Sequence, residues 1–264
     1  MTALQEFNRY GQELEKFMLL KTSPLAVKML ITEADIPDGA LRPKRDRGYH
    51  LAQCQAFSLS RFQGASVAML KEDNWCWGPL VAYGFIEQTV AEKYNELKKD
   101  VKNLPCLEYG KYAGIVSAPL KSANFEPDIV MIYSNTAQLN TMLHALTYQD
   151  EGKVTSPLYP IASCALSVVP ALSGQYCVTL PDPGEFGRAR TGEDEIIFSM
   201  PKEKVEGLVS QLRTFDERKM GYEHNAFWEM SPDFPRPEFY KNLYRESGLD
   251  AGDERTWSLP YIMA

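Results

Sequence analysis

The sequence predicts an α+β fold: a mixed β-sheet with helices packed on it, built from two degenerate halves related by a pseudo-two-fold axis. Three observations lead there. Apolar runs of strand length alternate with segments whose apolar residues recur at helical spacing. A cysteine-bearing segment occurs twice in one register: Leu51-Ala52-Gln53-Cys54 matches Ile161-Ala162-Ser163-Cys164, Gly64 matches Gly174, and Leu70 matches Leu180, each 110 residues apart. No low-complexity linker divides the chain, so residues 1–215 read as one domain and residues 216–264 as a tail.

The elements follow in order. Leu4, Phe7, Leu14, Phe17 and Met18 form the buried stripe of an opening helix that Thr22-Ser23-Pro24 ends. Leu25 to Ile31 reads as a strand, followed by a charged loop to about Tyr49. Leu51 to Phe62 is helical, with Gly64 suited to its C-terminal cap and Ala65 to Leu70 the next strand. Ile86, Val90, Tyr94 and Leu97 recur at helical spacing. Tyr112–Ser117 and Ile129–Tyr133 are strands, and the second leads into a helix carrying Leu139, Met142, Leu143 and Leu146. Residues 161–172 form the second cysteine helix, which Pro170 should kink or shorten. Gln175 to Leu180 is a strand. Glu195–Ser199 is another, followed by a helix bearing Val205, Leu208, Val209 and Leu212.

The tail differs in character. Phe227, Trp228, Phe234, Phe239, Tyr240, Tyr244, Trp257 and Tyr261 are large rings, and prolines at 232, 235, 237 and 260 interrupt helix. Glu238 to Glu246 can still form one. Rings on this scale must be covered, which predicts packing on the domain or across a subunit interface, most simply in a two-fold homodimer.

Composition narrows the function. The chain has 264 residues, 44% hydrophobic and 24% charged, with a formal net charge of −7. Its only basic cluster, Arg42 to Arg47, contains a proline and an aspartate and reads as a solvated loop, so nucleic acid is not an expected partner. No apolar run reaches the ~18–20 residues of a membrane span. Five widely spaced cysteines do not make a disulfide framework. The expectation is a soluble cytoplasmic protein with reduced thiols or metal ligands.

Short motifs carry a family resemblance: Pro24-Leu25-Ala26-Val27-Lys28, Cys54-Gln55-Ala56, Trp75-Cys76-Trp77-Gly78-Pro79, Ser163-Cys164, Pro181-Asp182-Pro183-Gly184-Glu185 with Arg188, Asp194-Glu195, and Phe198-Ser199-Met200-Pro201. Over about residues 20–215 the chain resembles the domain-of-unknown-function 169 family, which is widespread in anaerobic bacteria and archaea. The resemblance implies that Cys54, Cys76 and Cys164 are the cysteines that matter and that the setting is anaerobic metabolism. It names no reaction.

Thiolates bind soft metals and iron–sulfur clusters, and three of them leave one metal position open. Cys54, Cys76 and Cys164 are therefore the candidate ligands. The cofactor expected is a transition metal or an iron–sulfur cluster, in a redox-associated protein. No C-x-x-C pair exists, so any such site must be assembled by tertiary structure. Cysteine also serves as a small buried hydrophobe, and the spacing leaves that role open; Cys106 and Cys177 read as core. His50 lies one helical turn before Cys54, but Pro160 holds its place in the repeat, which favours a capping or surface role.

The alternative class is a non-catalytic binder of a small flat or anionic molecule. Trp75 and Trp77 flank Cys76 and could wall an aromatic pocket. Arg188 and Arg190 end a glycine-punctuated loop that could hold an anion. An ordinary aromatic cluster and an ordinary loop are the competing readings. No G-x-S-x-G elbow, H-E-x-x-H or phosphate-loop signature is present.

Overall fold

The computed structural model describes residues 2–149, 154–222 and 238–249. In chain order the elements are α1 (Ala3–Met18), β1 (Leu25–Leu30), α2 (Pro43–Arg47), α3 (Gln53–Gln63), β2 (Val67–Leu70), α4 (Trp77–Ala82), α5 (Gln88–Ala91), α6 (Asn95–Asn103), β3 (Gly114–Pro119), β4 (Ile129–Ser134), α7 (Thr136–Gln149), α8 (Ser163–Leu172), β5 (Cys177–Thr179), α9 (Pro183–Arg188), β6 (Ile196–Pro201), α10 (Val205–Glu217) and α11 (Glu238–Glu246). Among the described residues, no helix is long and apolar enough to cross a membrane.

The α+β class holds, with one correction. The sheet is antiparallel throughout, not mixed, in the order β2-β3-β1-β4-β6-β5. Its strands nevertheless read as nearly unbroken apolar runs because both faces are covered. Ala26, Leu30, Val116, Val130, Ile132 and Phe198 pack beneath α1, α7 and α10. Val27, Met29, Ile115, Met131, Tyr133 and Ile197 point the other way, against α3, α4 and α8. The two-residue period of the strands separates these sets. The candidate site lies on the second face.

The strand order is symmetric about the β1–β4 pair. Exchanging β1 with β4, β3 with β6 and β2 with β5 leaves every pairing unchanged. The cysteine segments occupy equivalent places. Helices α3 and α8 both run into a glycine with positive φ, Gly64 at 73° and Gly174 at 86°, and then into an edge strand. Helix α8 keeps Pro170 inside and is one residue shorter than α3, 10 against 11. A further correspondence escaped sequence reading because its spacing differs. Strands β3 and β6 both end in Ser-x-Pro and pass directly into a 3-10 turn. The two serines face equivalent helices: Ser117 meets Ser60 of α3, and Ser199 donates to the carbonyl of Ser167 in α8. The equivalence is topological and fixes no common descent.

Two local expectations are corrected. Residues 42–47 are not a solvated loop: Pro43 starts α2, and Arg42 is 2% exposed, its guanidinium bound by Glu33, Glu72 and the buried Asp73. The helix expected over 86–98 is two short helices, α5 and α6, with a turn at residues 92–94 between them. In the tail, α11 has the expected bounds, with Phe239 and Leu243 exposed. Phe227, Trp228, Phe234, Trp257 and Tyr261 lie outside the described residues.

Helix α1 is set by a capping box between Thr2 and Gln5 and by Gly11 at mid-helix. A Cβ on Gly11 would stand 2.5 Å from the Lys121 backbone nitrogen and 2.9 Å from the Leu120 carbonyl carbon. Backbone cannot swing aside as a side-chain tip can. Gly11→Ala should therefore destabilise by about 1–3 kcal/mol in urea unfolding, even though alanine is the better helix former by ~1 kcal/mol. A stabilised variant would show that α1 does not approach this turn so closely.

Candidate functional site

Four helices begin at one cavity of about 200 Å³. Its walls are first-turn residues and caps: Ala52, Gln53 and Cys54 at α3; Cys76, Trp77 and Gly78 at α4; Ala162 and Cys164 at α8; Asp182 and Gly184 at α9, with Arg188 at the far end of α9. Cys54 and Cys164 are each the second residue of their helix, and Cys76 is the N-terminal cap of α4. Gaps of 22 and 88 residues in sequence thus close onto one space.

Local chemistry explains the convergence. Asp182 caps α9, its Oδ1 accepting from the Gly184 and Glu185 amides at 2.6 and 3.0 Å. Its Oδ2 accepts from the Ser163 amide, the first of α8, at 2.9 Å. One carboxylate therefore ties two helix starts together, and Pro183 at the first helical position suits such a start. Gly78 lets α4 approach α8: a Cβ there would stand 3.0 Å from the Ala162 side chain. Ala162 itself caps α8 in the left-handed region, at φ 55°.

Beneath this surface lies a buried polar layer. The Glu185 carboxylate is wholly buried and accepts from the hydroxyls of Tyr133 (3.0 Å), Thr191 (2.8 Å) and Ser163 (3.4 Å). Burial pushes its pKa up, against the lowering effect of the Thr191 and Tyr133 hydroxyls. The Tyr133 ring lies 3.4 Å under the Arg61 guanidinium, which pairs with Glu195. The Tyr83 hydroxyl donates to the Cys164 carbonyl at 3.1 Å.

Burial favours the protonated form of all three thiols. Burial pushes Cys54 up to about 12, with repulsion from Glu185 and Asp182 adding to it. Cys164 is pushed far up by burial, and then by the other two thiols. Cys76 also rises through burial, partly offset by a hydrogen bond from the Gly78 amide and by the charge of Arg188. Among the described residues, no group of three or more His, Cys, Asp or Glu side chains is arranged to hold a metal ion. The donor chemistry fits a thiophilic metal; the thiols would have to take up ligating positions and lose their protons to bind one.

Of the four residues expected to contact a ligand, Trp77 and Arg188 line the cavity. Trp75 does not; it is half-exposed and carries the Arg188 guanidinium 4.9 Å above its ring. Arg190 also stands apart, in the left-handed region at φ 60°, with its guanidinium over Phe62. The expected glycine-punctuated loop is the short helix α9. Cys177 is buried in β5 as expected, Cys106 is half-buried, and His50 is exposed. Sequence reading missed Gln53, Asp182, Glu185, Tyr133 and Arg61 as parts of the site. Pro-Asp-Pro carried a legible signal, an N-cap before a first-turn proline; the others are isolated polar residues with no local pattern.

No match was found among curated proteins or among solved structures. A family model described as uncharacterised ArCR matches residues 13–211. The match takes in all three cavity cysteines, Asp182, Glu185 and Arg188, and the chain belongs to this family, the domain-of-unknown-function 169 family.

Proposed function

We propose that the protein holds a thiophilic metal ion or an iron–sulfur cluster on Cys54, Cys76 and Cys164 and acts in the redox chemistry of anaerobic metabolism. One observation carries this reading: three cysteines distant in sequence line one cavity, each at a helix start. Helix N-termini favour negative charge and lower thiol pKa, so they oppose the burial that keeps the thiols protonated. Three thiolates leave a coordination position open for a further ligand. A degenerate internal duplication accounts for Cys54 and Cys164 taking the same helical position. A cytoplasmic location and a two-fold homodimer complete the reading.

Anaerobic reconstitution followed by metal analysis and a visible spectrum tests it. One centre per chain is expected, absent in the triple serine variant. Because three protons must leave, the logarithm of the apparent affinity should rise with pH at a slope of up to about 3 below the thiol pKa values. Colourless, metal-free protein after reconstitution would sink the proposal.

A second reading, a small-molecule or anion-binding protein, is favoured by Arg188 at the cavity, held over the Trp75 ring while Trp77 forms part of the wall.

A further inference from the structure

Gln53 is the least explained residue of the cavity. It is 1% exposed and forms part of the wall, yet its Oε1 is buried with no hydrogen-bond partner among the described residues. An unpaired buried carbonyl is destabilising relative to a satisfied one, so it marks a place where a partner belongs. Gln53 is also the first residue of α3, an 11-residue helix in which the Gln55 and Ala56 amides bond to the Ala52 carbonyl, while those of Gln53 and Cys54 have no acceptor within the helix. The start of the 10-residue α8 adjoins it at Cys164, with its Ser163 amide already bound by Asp182. Partial positive charge from the α3 start and the Arg188 guanidinium thus border the cavity beside an amide that lacks a donor.

The charge count sets the ligand's charge. Arg188 is the only cation among the lining residues, and Asp182 is the only anion. The Asp182 carboxylate is already engaged by three backbone N–H groups. One guanidinium, packed on the Trp75 ring, and the α3 start suit a single negative charge better than a dianion such as phosphate. Size sets the rest. At ~30 Å³ per water, the cavity holds about six or seven waters' worth of atoms, the scale of a very small organic acid.

We propose that the cavity binds a small 2-hydroxycarboxylate monoanion. Its carboxylate meets the N-terminus of α3 and Arg188, and its hydroxyl donates to Gln53 Oε1, which a small rotation of the buried amide brings to the cavity surface. The proposal deepens the small-ligand reading and does not require a bound metal.

The test uses the full-length, reduced, metal-free protein and two probes that differ by one hydroxyl, glycolate and acetate, with affinities from calorimetry. A site that hydrogen-bonds a hydroxyl rejects the analogue lacking it, so glycolate should bind at least about tenfold more tightly than acetate. Gln53→Met, nearly isosteric but without the amide, should bring that ratio close to one. The same variant should melt no lower than the parent, since it removes an unpaired buried carbonyl; Gln53→Leu repeats the measurement with a different shape. Arg188→Ala should weaken both acids alike. The proposal is overturned if neither acid binds, if the two bind equally, or if the ratio survives in both Gln53 variants. Metal stoichiometry from the reconstitution is scored separately, so a metal-loaded protein that ignores glycolate defeats this inference and leaves the three-thiol centre standing.

Discussion

Replacing Arg61 with methionine should destabilise the protein by about 3–5 kcal/mol at pH 7, the cost of leaving one charge of a buried pair alone. The Arg61 and Glu195 side chains are 1% and 4% exposed and pair directly. The Arg61 Nε also donates to Thr22 Oγ1 at 3.0 Å, and the guanidinium covers the Tyr133 ring. These contacts join α3 to the turn before β6 and to β4, so the residue fastens the two sides of the sheet's symmetric centre. The melting temperature should fall by on the order of 10 °C. The double variant Arg61→Met with Glu195→Leu should recover much of the loss, because the pair's desolvation cost goes with it. Urea unfolding of both variants measures this. A single variant that loses under about 1 kcal/mol would mean that water reaches the guanidinium.

Glu185 gives the second large effect, and its sign depends on the replacement. Glu185→Leu leaves the hydroxyls of Tyr133, Thr191 and Ser163 without their acceptor, and should cost about 2–4 kcal/mol. Glu185→Gln keeps an oxygen for Tyr133 and Ser163 and offers an N–H to the Thr191 oxygen. It removes a charge that burial disfavours. Since the folded pKa of Glu185 lies above its ordinary value of 4.5, the parent's relative stability is fully present below that value. It is lost as pH rises through the raised pKa. The glutamine variant lacks this loss and should equal or exceed the parent at pH 7, with the gap opening above about pH 4.5. Glu185 is also the first charge, after burial itself, that raises the Cys54 pKa. Thiolate absorbance in the variant should therefore appear at lower pH. Unfolding curves at pH 4 and 7 and an ultraviolet thiol titration check both points. A glutamine variant as unstable as the leucine one would show that the carboxylate's charge, not its hydrogen bonds, holds the layer.

Much of the fold was legible because it rests on local pattern. Strand runs such as Leu25–Leu30 and Ile129–Ser134 and the helical stripe from Leu4 to Met18 are properties of neighbouring residues. They survive into the structure with shifts of a residue or two. Pairing direction was not legible. An apolar run buried on both faces reads alike in a parallel and an antiparallel sheet, so the expected mixed sheet gave way to an antiparallel one.

The sequence by itself determined the α+β class, the family, and three cysteines worth following. Only the tertiary structure decided that these cysteines share one cavity, that Arg188 lines it while Arg190 does not, and that Arg42 and Arg61 are buried. The reason is physical. Secondary structure follows from spacings of two to four residues, which a sequence displays directly. A site assembled from four helix starts depends on how distant segments meet, and so does the burial of an arginine. Asp182 bonding to Ser163 and Arg61 pairing with Glu195 span 19 and 134 residues, separations at which one sequence carries no periodic signal.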